Sequence, residues 1–156
     1  MTELKIFLMI LLALVAGKSF SQNIYISTEQ ELNFGDFYIS GTGDATIMLS
    51  DTGQRSSSGN VNFLNNKHHP VTYILTTDNP TPLQVQVDTP TSVLTNAEGK
   101  KMSVRLNPTD NLIHTLQKDI PKRISLGGIL TLDLETGTSP GNYSGNILIT
   151  VMILNE

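Results

Sequence analysis

The chain has 156 residues, ten Lys or Arg against fourteen Asp or Glu, and neither cysteine nor tryptophan. That length suits one domain, and the missing cysteine excludes a disulfide framework, a thiolate zinc site, an iron–sulfur cluster and a thiol nucleophile. A net charge of −4, with 15% charged residues where roughly 25% is typical, lacks the basic footprint of sequence-independent nucleic-acid binding.

Lys5 precedes an unbroken apolar run over residues 6–16, which Gly17 and Lys18 end. The run has the length of a signal-peptide core, ~7–15 residues, and is short of the ~20 that span a bilayer. Ser19 and Ser21 put small residues at the −3 and −1 positions of a cut before Gln22. Residues 1–21 are therefore expected to be a signal peptide and residues 22–156 a single domain. A retained membrane anchor is the alternative. Export leads to the periplasm, the cell surface or the medium, with no stable membrane span after cleavage. The remaining chain carries eight positive against thirteen negative side chains. A native disulfide would add ~2–5 kcal/mol in such a compartment, so this domain must hold together by core packing alone.

From residue 22 onward the pattern is one of strands and turns. Ala45, Ile47 and Leu49 alternate with polar or exposed-type positions, as do Val71, Tyr73 and Leu75, then Leu83, Val85 and Val87. Met102, Val104 and Leu106 repeat the pattern, and so do Leu130, Leu132 and Leu134. Period-2 alternation buries one face of a strand and wets the other. Turn-forming residues separate the runs at 41–44, 51–53, 78–80, 98–99 and 138–142. Eight or nine short strands at this spacing predict an all-β antiparallel β-sandwich rather than βαβ units.

Three segments depart from simple alternation. Leu32 and Phe34 share one parity but Phe37 and Ile39 the other, which predicts a bulge at Gly35. Leu112, Ile113, Leu116 and Ile120, between Asp110 and Pro121, have the spacing of a short helix, with a single turn or irregular crossover equally compatible. The closing run over 147–154 is apolar on both parities, so it is either a central strand or one whose second face meets another chain.

The chemical motifs are sparse. Asp51, Thr52 and Gly53 match the core triplet of retroviral-type aspartic proteases, but Leu49 and Ser50 before it and Gln54 after it do not, and a hairpin turn explains the same residues. His68 and His69 are adjacent, and neighbours on a strand point to opposite faces, so a loop is the simpler reading than a metal site. Asp44 and Asp51 offer at most a loop calcium site, and no EF-hand spacing occurs. With no constellation of nucleophile, base and orienting group, the chain is read as a non-enzyme that needs no cofactor and has no catalytic, cofactor-binding or metal residues.

The segment Ser125, Leu126, Gly127, Gly128, Ile129, Leu130, followed by Pro140, Gly141, Asn142, Tyr143, Ser144, Gly145 and an apolar strand, resembles the C-terminal signature of the bacterial family called domain of unknown function 4402. That family has a V-G-G-x-L strand, then G-x-Y-S-G and a V-T-V-type strand. Here Asn146 and Ile147 stand where a Thr-Phe-type pair is usual, and Met152, Ile153 and Leu154 replace the common ending. The family is similar to secreted pilus subunits and spore-coat-type domains, so the resemblance implies an immunoglobulin-like sandwich, export and no catalytic residue. Gly127, Gly128, Gly141, Tyr143 and Gly145 are then structural: glycines for tight backbone geometry, and a tyrosine like that of a Greek-key tyrosine corner.

The expected function is an exported structural or adhesive surface protein resembling a pilus-type subunit. Its partners would be copies of itself or other fibre subunits, reached through a sheet edge. Ile24, Tyr25 and Ile26 form a candidate strand-addition segment, with the domain's own first strand as the alternative. The competing expectation is a secreted ligand- or carbohydrate-binding sandwich module. The absence of Trp and the alternating placement of the nine Phe and Tyr residues count against it.

Overall fold

The structure, a computed structural model, describes residues 22–107, 113–132 and 140–154. The proposed signal peptide lies outside these residues, as do Asp110, Leu112 and Leu134. Twelve strands follow in order: β1 (Ile24–Gln30), β2 (Phe37–Ile39), β3 (Ala45–Leu49), β4 (Arg55–Ser58), β5 (Val61–Phe63), β6 (Val71–Thr77), β7 (Leu83–Asp88), β8 (Ser92–Thr95), β9 (Lys101–Asn107), β10 (Ile113–Leu116), β11 (Lys122–Leu132) and β12 (Thr150–Ile153). All pair antiparallel, and the protein is an all-β sandwich.

The largest sheet runs β1-β6-β11-β3-β4, with β9 on β11 and β8 on β9. A second sheet runs β10-β7-β12, and β2 and β5 form a separate pair. The long strand β11 organises the first. Residues 122–126 pair with β6, whereas 128–131 are flanked on both sides, by β3 and by β9. Ile124 and Leu126 enter one core cluster, with Val71, Tyr73 and Leu75 of β6, Leu83, Val85 and Val87 of β7, Leu106 and Leu116. Leu130 and Leu132 enter the other, with Phe34, Ala45, Ile47, Leu49, Met102 and Val104. The first cluster takes its side chains from both sheets, which is what holds the layers face to face. Each fully buried aliphatic side chain, such as Ile47, Leu75, Leu116 or Leu132, contributes ~1.5–3 kcal/mol relative to exposure.

The alternating runs lie where the pattern places them, on β3, β6, β7, β9 and β11, with their apolar parity buried. Three expectations need correction. Residues 113–116 are the strand β10, paired with β7, because Leu116 is wholly buried there while Ile113 is left exposed. Pairing against an established strand outweighs a short, marginal helix. The parity switch at Gly35 is real, but residues 34–36 belong to no strand: Gly35 adopts φ +75° and turns the chain between the Asn33–His69 bridge and β2. The closing run is not a central strand. Among the described residues β12 pairs with β7 alone, and Ile147, Ile149, Val151 and Ile153 pack on the first cluster while Leu148 stays 64% and Met152 44% exposed.

Candidate functional site

Asp51, Thr52 and Gly53 form the β3–β4 hairpin turn. Gly53 N–H donates to the Ser50 carbonyl at 3.1 Å, and Gly53 takes φ +84°. The Asp51 carbonyl accepts from Ser125 Oγ at 2.9 Å, so this residue ties the turn to β11. His68 and His69 sit in the loop before β6. His69 bridges backbone to backbone with Asn33, and its Nδ1–H donates to the Glu31 carbonyl at 2.7 Å. Among the described residues no three His, Asp or Glu side chains gather into a metal-binding group.

The glycine and tyrosine residues fall in two places, on β11 and beside β8. Gly127 and Gly128 lie mid-strand in β11, where Gly127 has the β3 backbone against it. A β-carbon on Gly145 would lie 2.5 Å from the Val93 carbonyl oxygen, so this glycine lets the closing segment pass close to β8. Ser144 exchanges backbone hydrogen bonds with Thr95 at 2.9 and 3.1 Å. Beside Gly141, Asn96 is buried and caps the 96–100 turn, its Oδ1 accepting from the Glu98 and Lys100 N–H groups at 3.0 and 2.8 Å. Tyr143 packs against the second cluster.

The candidate strand-addition residues form β1, an edge strand of this domain's own sheet. Ile24 pairs with Thr77, Tyr25 with Thr76 and Ile26 with Leu75. Only Ile24 packs on the core; Tyr25 is 55% and Ile26 44% exposed. Backbone pairing and a few polar contacts therefore hold β1, not apolar burial. Thr77 Oγ1 donates to the Asn23 carbonyl at 2.8 Å, Tyr25 reaches Asp78 at 3.3 Å, and Arg123 pairs with Glu29. The register slips between Thr28 and Gln30, so the regular ladder ends there.

The sequence pattern does not reveal a groove of about 1310 Å³ that opens beside this point. One wall is residues 31–39 and the other residues 140–148. Between them lie Val71 and Tyr73 of the first core cluster and Phe34, Met102 and Leu130 of the second. Five of the seven aromatic residues described, Phe34, Phe37, Tyr38, Tyr73 and Tyr143, line it. Sequence reasoning placed Tyr143 at a sheet corner and most of the aromatics at alternating core positions, and only the packing shows these five sharing one opening. Among the described residues, the charged side chains in the lining are Glu31 and Asp36.

Arg55 backs the first wall. Its guanidinium donates to the Phe34 carbonyl at 2.8 Å and to the Asn65 carbonyl, and lies 3.8 Å above the Phe63 ring. Burial pushes its pKa below the ordinary value. The second wall alternates between half-buried and exposed from Ile147 to Ile153, so the chain stays extended ahead of β12 although residues 145–149 belong to no sheet.

A family model described as "Domain of unknown function (DUF4402)" matches residues 24–152. No curated protein and no solved structure matches the chain.

Proposed function

The chain belongs to the DUF4402 family, and from that premise we propose that it is an exported structural or adhesive surface protein, a pilus-type subunit without catalysis. The observation that carries this is β1, an N-terminal edge strand that pairs through its backbone and leaves Tyr25 and Ile26 exposed. An exposed edge whose residues 24–28 carry no charge and whose Tyr25 and Ile26 side chains face outward is a template for pairing with another chain. The non-consecutive strand order β1-β6-β11-β3-β4 supports an immunoglobulin-like course with Greek-key-type connections. The apolar run over 6–16 and the small residues before Gln22 support export.

The test is size-exclusion chromatography with light scattering on residues 22–156, beside the same chain lacking residues 22–28. The expected result is a species larger than the monomer that disappears with the deletion. A chain that is monomeric at every concentration, and merely less stable when shortened, sinks the assembly reading. Mass spectrometry of the protein from its own cells is expected to find Gln22 as the first residue.

The groove favours a second reading, a secreted ligand- or carbohydrate-binding module. Tyr38, 51% exposed, shares the groove lining with Asn33, Asn142 and Asn146. A glycan array at background level retires it.

A further inference from the structure

We propose that the groove between residues 31–39 and 140–148 is the acceptor for the β1 segment of a second copy of this chain; this rests on the assembly reading and names its partner surface. Each wall has one edge already taken, and the first is turned at Gly35. Residues 33–39 pair with 61–69 through the Asn33–His69 bridge, the Leu64 N–H to the Asp36 carbonyl, and the β2–β5 ladder. The other wall pairs through Ser144 with Thr95 and through β12 with β7. Among the described residues, neither wall has a strand on its remaining edge. Core side chains of both clusters lie between them, so the opening has the form of a strand's place left vacant in one layer of the sandwich. Its occupant must supply backbone donors and acceptors and alternate apolar side chains toward the core.

The β1 segment meets these demands. Residues 22–28 carry no charged side chain, which suits a groove whose charges, among the described residues, are the carboxylates of Glu31 and Asp36. Ile24 and Ile26 share one face of the strand, and Tyr25 lies on the other. Release from its own sheet sacrifices backbone bonds, which re-form in the groove, but little apolar burial. The irregular register between Thr28 and Gln30 marks where the segment can swing, directly before Glu31 and Leu32 of the wall. Donor and acceptor are different surfaces of one molecule, so the contact is heterologous and propagates as a chain of subunits.

Two exposed positions test this without touching the core: Ile26→Lys in the donor and Leu148→Lys in the acceptor wall. Each purified variant should melt with the wild-type protein yet run as a monomer where the wild type assembles. An equal mixture of the two should give a particle of two chains and nothing larger, because only one donor and one acceptor remain. A synthetic peptide of residues 22–30, added in excess, should shorten wild-type assemblies, and the same peptide with Ile26→Lys should not. If both variants assemble like the wild type, the groove assignment is overturned while the assembly reading stands. A wild type that is monomeric throughout overturns both. Glycan binding that Leu148→Lys abolishes while assembly continues assigns the groove to sugar and overturns the proposal.

Discussion

Gly127 occupies a point where a β-carbon has no room. One built there would lie 2.0 Å from the Leu49 carbonyl oxygen and 2.6 Å from the Ser50 carbonyl carbon. Those are backbone atoms, which cannot step aside as a flexible side chain does. Gly127→Ala must therefore push β3 away from β11, at or above the upper end of the ~1–3 kcal/mol typical of overpacking. A lowered urea midpoint with an unchanged slope checks this. At Gly128 the neighbours are ends of the Leu32 and Phe34 side chains at 3.1 Å, so the same exchange there is milder. His114 gives a second residue-scale expectation. Burial, and then the charge of Lys122, hold its pKa below the ordinary 6.5. The unfolded chain then takes up a proton at higher pH than the folded one, so this residue's contribution to stability is present above pH 6.5 and is lost as the pH falls toward the lowered value. Chemical denaturation at about pH 7 and about pH 5 should show the wild type losing more stability than His114→Gln. Equal losses would show that the imidazole is not responsible.

Among the elements, what the sequence made legible was what burial dictates. Val71, Tyr73 and Leu75, or Leu83, Val85 and Val87, alternate because one face of each strand meets the core, and the letters carry that period directly. The G-x-Y-S-G residues are read as structural from the family likeness, and a β-carbon at Gly145 would lie 2.5 Å from the Val93 carbonyl oxygen. Where tertiary contacts decide, the letters mislead. Leu112, Ile113, Leu116 and Ile120 have helical spacing, yet the pairing of residues 113–116 with β7 makes a strand. The two apolar parities of the closing segment allow a central strand or one whose second face meets another chain; β12 lies at a sheet edge with Leu148 and Met152 outward, which leaves the second. The groove was not legible at all. It arises because residues 31–39 and 140–148, a hundred positions apart, stop short of pairing with each other, and no local pattern records a space between distant segments.

For the whole molecule, β11 makes the two core clusters one cooperative unit, since neither cluster can come apart without breaking the same strand. Hydrogen exchange should show amides 128–131, flanked on both sides, opening only with global unfolding. Those of β1 should exchange orders of magnitude faster through local release. Protection of β1 equal to that of β11 would contradict the weak attachment inferred from its exposed side chains. The fold class follows from composition and period, whereas this division into a fixed body and a loosely held first strand follows only from which side chains find a core.

That first strand also has a place in time. Ile24 pairs with Thr77, Tyr25 with Thr76 and Ile26 with Leu75, so the partner of each residue is made about fifty positions later. A chain synthesised from its amino end presents the β1 segment well before β6 exists to receive it, and pairing across so long a loop is slow. During that interval its exposed backbone is free to meet a finished neighbour first. The order of synthesis thus biases the choice between folding back and joining on, before the stabilities of the two outcomes are ever compared.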